Sequence, residues 1–151
     1  PLSDILDLVQ KVREVTDAIY TASDLTYLMH GGRISHLKRL MVSLLDIKPV
    51  IGVEKEEGTY VQRGKARTFK RALHTIADVV ADQYGEGASL RVQAIHGDNP
   101  TGVALLRAEF DTRFVCTWLP TRETCPGLAA HSGPTMVGLI YAPLASYPEL
   151  P

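Results

Sequence analysis

Three stretches of the chain carry side chains suited to chemistry. The first is Gly31-Gly32-Arg33-Ile34-Ser35-His36. Glycines let a backbone approach a ligand closely, a helix beginning at Ser35 would favour an anion at its N-terminus, and Arg33 offers a fork of donors for carboxylate or phosphate. The plainer reading of the same residues is a helix stop, a cap and a solvated arginine. Neither GxxxxGK[ST] nor GxGxxG is present, so this is not a nucleotide loop of either familiar kind.

The second stretch runs from Ala129 to Leu139, AAHSGPTMVGL. His131 sits among small residues before the turn Ser132-Gly133-Pro134, and an imidazole at such a junction can hydrogen-bond a carboxylate or phosphate oxygen. Ser132 beside His131 does not make a triad, because sequence neighbours rarely align for proton transfer. The GxSxG elbow is absent.

The third holds Arg63, Lys65, Arg67, Lys70 and Arg71. It lacks the interleaved aromatic platforms that bind single strands. Glu54, Glu56 and Glu57 lie on the partner strand, where cross-strand ion pairs could absorb its charge. The five histidines show neither HxxxH nor HExxH spacing, and no metal is expected.

These residues must be positioned by an ordinary globular scaffold. The chain of 151 residues is 45% hydrophobic and 22% charged, with a formal net charge of −1, so no global field steers it to nucleic acid. Cys116 and Cys125 are too few for a disulfide framework, which points to a reducing, cytoplasmic setting. The N-terminus reads as part of a helical pattern without a signal peptide, and suggests a piece of something longer.

The pattern predicts a helix from Ser3 past Val12, a short strand in VTDAIY, and a short helix through Leu25, Leu28 and Met29 that stops at Gly31-Gly32. A second helix carries Leu37, Leu40, Met41, Leu44 and Leu45 on one face. A hairpin follows, Ile47 to Val53 and Thr59 onward, then a long helix over Phe69–Tyr84 and a strand in LRVQAIH. Asn99-Pro100 opens a helix to about Phe110. TRFVCTWL is a strand, residues 120–126 a loop, and TMVGLIYA the last strand. The reading is one α/β domain with a mixed sheet flanked by helices.

Taken in order, DLTYLMHGGRIS, LKRLMVSLLDIKPVIGV, GTYVQRGKARTFKRAL and HSGPTMVGLIY resemble the carboxy-terminal domain of the DegV family, with its GGRI, IKP, K-x-R and HxGP signatures. The similarity runs from about residue 3 to residue 142. It implies binding of a long-chain fatty acid without catalysis, and a partner: an ATP-dependent fatty acid kinase subunit that converts the presented carboxylate to an acyl phosphate. It implies head-group roles for His131, Arg33 and Ser132, with Leu28, Met41, Leu45 and Ile140 as candidates to line the tail. The fatty acid is then the ligand, no cofactor is needed, and transient contact with a membrane is compatible with the role. The family's amino-terminal domain is absent here, so either that domain or a second copy would have to cover the open face. The glycine that usually follows HxGP is Thr135, which bears on the shape of the turn.

Two other classes compete. One is an enzyme acting on a small carboxylated or phosphorylated substrate with His131 as acid or base. The other is a nucleic-acid-binding regulator using the cluster from Arg63 to Arg71, against which the small net charge weighs.

Overall fold

The structure is a computed structural model that describes residues 1–30 and 47–146. The helix predicted through Leu37 and Leu45 lies outside the described residues. Among the described residues the chain order is α1 (Leu2–Val15), β1 (Asp17–Thr21), α2 (Thr26–His30), β2 (Lys48–Glu54), β3 (Thr59–Ala66), α3 (Phe69–Tyr84), β4 (Ser89–His96), α4 (Pro100–Arg113), β5 (Val115–Glu123), α5 (Pro126–Ser132), β6 (Val137–Pro143) and a 3-10 turn (Leu144–Ser146). Six strands form one mixed sheet in the order β3-β2-β1-β6-β4-β5. Every pairing is antiparallel except β4 with β5, which α4 joins as a crossover.

Local chemistry explains α3 and α4. Thr68 accepts from Arg71 N at the start of α3, and Gly85 ends it with φ 85°. Asn99 Oδ1 accepts from Gly102 N at the start of α4, where Pro100 needs no hydrogen-bond acceptor. Both helices cover one sheet face. Leu73, Ile76 and Val80 of α3 and Leu106 and Phe110 of α4 pack on Ile19, Val50, Val92 and Leu139. Burying each such side chain is worth about 1.5–3 kcal/mol, so this face is the stable foundation. Arg113 ties the two helices, reaching Asp78 at 2.9 Å, while His74 Nδ1 meets Glu109 at 2.6 Å.

The other face is built differently. Tyr20, Ala22, Leu28, Ile51 and Met136 form a smaller buried cluster on it, with Leu25, Tyr60, Ile95 and Leu128 packed at its margin. The α1 helix has no buried residue at all, and Leu2, Ile5 and Val9 are 59–71% exposed.

Two predicted boundaries change. Residues 120–123, expected as loop, continue β5, and residues 126–132 form α5. β5 lies at the sheet edge, where Pro120 removes no ladder bond that the fold requires.

Candidate functional site

Strand direction gathers the site at one end of the sheet. Thr21 at the end of β1 pairs with Val137 at the start of β6, and His96 at the end of β4 pairs with Val137 from the other side. The turn that precedes β6 is therefore held between two strand ends. Asp98 N donates to Pro134 O at 2.8 Å, Gly97 N to Met136 O at 3.0 Å, and Asn99 Nδ2 to Thr135 O at 3.2 Å.

The turn itself is the Ser132-Gly133-Pro134 segment. Gly133 ends α5 with φ 78°, a conformation open to glycine at little cost, and its N–H donates to Ala129 O. Thr135 stands where the resemblance leads one to expect glycine, and its hydroxyl accepts from Asp24 N at 3.0 Å. Asp24 in turn accepts from Thr26 N at 2.9 Å, and the Thr26 hydroxyl and N–H hold its carboxyl below the usual range. The segment after β1 and the turn before β6 are thus stitched together across the sheet end.

His131 occupies the last turn of α5. Its side chain is half-buried, and its Nδ1 is buried with no hydrogen-bond partner among the described residues. Leaving a buried polar nitrogen unpaired costs about 1–3 kcal/mol unless a ligand or water meets it. Ser132 is 1% exposed, and its hydroxyl already donates to Leu128 O at 2.9 Å. It fixes the end of α5 and has no free proton to offer.

The tail-lining candidates divide. Leu28 is fully buried in the small cluster with Tyr20 and Met136. Ile140 is half-buried and lines a groove of about 490 Å³ beneath α1, with Val9, Val12, Ala18 and Val53. Arg33, Met41 and Leu45 lie outside the described residues. Apart from Ile140, the sequence does not single out the groove residues, although the spacing of Leu8, Val9 and Val12 and the alternation of Ala18 with Tyr20 place them on apolar faces.

The cross-strand ion pairs open to the basic stretch do not form among the described residues. Arg63, Lys65, Arg67, Lys70 and Arg71 make no ion pair among the described residues. Glu54 accepts from the N–H groups of Glu56 and Glu57 in its own turn, which holds its carboxyl low. No described group of three or more His, Cys, Asp or Glu residues is arranged to hold a metal. No described helix is long and apolar enough to cross a membrane.

A family profile described as uncharacterised protein, DegV family, matches residues 1–144. A DegV domain-containing protein from Deinococcus radiodurans is 33% identical over 132 residues, which cover 87% of this chain and 46% of that protein. The solved structure of a fatty-acid-binding DegV family protein from Thermus thermophilus superposes with a TM-score of 0.80 at 26% identity, covering 95% of this chain and 51% of that one. The fatty acid kinase B3 protein of Streptococcus pneumoniae, solved loaded with linoleic acid, has a TM-score of 0.73 at 19% identity, covering 95% of this chain and 50% of that one, a likeness of fold. The chain spans about half the length of the curated relatives it matches. With a family profile over residues 1–144, a relative one-third identical and the same sheet in solved members, the chain belongs to the DegV family.

Proposed function

We propose that the chain binds a long-chain fatty acid and presents its carboxylate to a partner kinase for acyl-phosphate formation, supplying no catalytic group of its own. In this reading it is the carboxy-terminal domain of a two-domain protein, and the amino-terminal domain or a second copy closes the open face. The observation that carries it is the unpaired, buried Nδ1 of His131, next to a sheet face that continues through Met136, Gly138 and Ile140.

A carboxylate oxygen is the acceptor that an imidazole N–H at this point lacks, and such a charge-assisted bond is about twice as strong as a neutral one. The tail then lies along the face, where each buried methylene contributes about 0.8 kcal/mol. Tail burial therefore sets most of the affinity, and His131 sets which end faces outward. Arg33 is assigned the phosphoryl-transfer step with the kinase, as the family resemblance implies. Ser132 acts through the end of α5, and Met41 and Leu45 stay candidates for the tail on the strength of the family resemblance.

Mass spectrometry of an organic extract of the purified chain tests the reading. A long-chain fatty acid near one equivalent is expected, and markedly less from His131→Ala. An extract without fatty acid, from a folded chain that also fails to bind added oleate, would refute it.

A further inference from the structure

The groove beneath α1 does not stay apolar along its length. Val9, Val12, Ala18, Val53 and Ile140 line one part, and Arg13, Thr16, Asp17, Lys55 and Gly58 line the rest. The strands order these parts. Tyr20 pairs with Gly138, Ala18 with Ile140 and Asp17 with Tyr141, so Asp17 lies farther from the His131 end than the apolar wall does. Lys55 follows β2 at that same far end, because β2 runs away from its Val50–Thr21 pairing.

Lys55 and Asp17 meet there. Lys55 Nζ lies 2.9 Å from Asp17 Oδ1, with the two side chains 30% and 21% exposed. Lys55 Nζ also donates to Glu14 O at 2.8 Å, and Arg13 donates to Lys55 O at 3.0 Å. Gln83 of α3 donates to Asp17 Oδ2 at 2.8 Å. One partly buried ion pair thus clasps the end of α1, β1, β2 and α3 at the polar end of the groove.

We infer that the Lys55–Asp17 pair is the end-stop of the tail channel and sets the longest fatty acid the chain accepts. The inference rests on the fatty-acid reading above. Five residues of extended chain separate Met136 from Tyr141, about 17 Å at ~3.4 Å per residue, a span suited to an alkyl tail. The groove volume of about 490 Å³ also falls in the ordinary range for ligand pockets. Within the apolar part each added methylene raises affinity about fourfold. Beyond it, the methyl end must strip water from two charges without replacing their hydrogen bonds, and the gain stops.

The test is direct binding of the saturated acids from decanoate to behenate to the delipidated chain, to Lys55→Met and to Asp17→Asn. For the native chain, affinity is expected to climb with length and then break. Lys55→Met keeps the stem and removes the charge, so the break moves to longer acids and affinity for those beyond the native break rises roughly fifteenfold, the worth of about two methylenes. Acids shorter than the break are unaffected. Asp17→Asn, which keeps an acceptor for Gln83, moves the break the same way. A break unmoved in either folded variant overturns the end-stop and leaves the fatty-acid reading standing. So does a native affinity that climbs without a break to behenate. Failure of the native chain to bind any of the acids overturns both.

Discussion

The ring of Tyr27 lies against Gly133 so closely that a Cβ on the glycine would sit 2.5 Å from the tyrosine Cδ2. Tyr27 belongs to α2, which leads into the Gly31-Gly32-Arg33 stretch, and Gly133 is the pivot of the turn after His131. With the Asp24–Thr135 hydrogen bond between residues 111 positions apart, this contact joins the segment from Asp24 to Tyr27 to the turn after His131. Gly133→Ala meets both the ring and a positive φ of 78°. A loss of about 1–3 kcal/mol in chemical denaturation is expected. Gly133→Ala combined with Tyr27→Ala should recover the steric part and leave the backbone part. Equal losses in the single and double variants would show that the ring contact carries no energy.

His131 separates binding from folding. Its Nδ1 has no described partner, so His131→Ala removes an unpaired polar atom and should leave the stability of the lipid-free chain within about 0.5 kcal/mol. Fatty acid affinity should fall at least tenfold in a titration with oleate. A large stability loss with unchanged affinity would place the residue in the scaffold instead.

Arg33 is expected to behave in the opposite way. Arg33→Ala should cut acyl-phosphate formation by a cognate kinase while changing fatty acid affinity little, since the methylenes dominate binding. Parallel measurement of turnover and affinity decides it: a parallel loss of both would make Arg33 a carboxylate anchor, and full turnover would remove it from the site.

Alkaline pH should weaken the fold through its tyrosines. Burial, then the nearby Asp17 carboxylate, push the Tyr84 phenol up to about 12. Burial also raises Tyr20 and Tyr141. A phenol that holds its proton more tightly folded than unfolded contributes stability below its unfolded value of about 10, and that stability is lost as pH rises through the folded value. Urea midpoints should therefore decline from pH 10 upward. Tyr84→Phe should lessen the decline, and an identical slope would exclude Tyr84 as a source.

Much of the scaffold is legible from local signals. Asn99-Pro100 marks α4, Phe69, Leu73, Ile76 and Val80 mark α3, and the alternation in LRVQAIH marks β4. The α5 helix escapes the pattern because GLAAHS is short and lacks an apolar stripe, although Pro126 at its start and Gly133 at its end bracket it. Pro120 reads as a strand end, yet an edge strand loses little to a missing N–H, and the Pro120 carbonyl accepts from Gln93 where the β4–β5 register slips. For the site, His131 and Thr135 are visible as residues. The clasp of Lys55 on Asp17 is not, because it depends on three chain segments meeting through tertiary contacts.

The central position of β6 governs how the protein comes into being. β1, β2 and β3 form one antiparallel group, β4 and β5 another, and β6 alone bridges them. As the chain leaves the ribosome, both groups are synthesised before the strand that unites them. The pairings of Thr21 and His96 with Val137 are thus late and non-local, the kind that loop-closure entropy makes slow. A nascent chain arrested before Val137 carries two open sheet edges, at β1 and β4, and is exposed to aggregation until the last strand inserts.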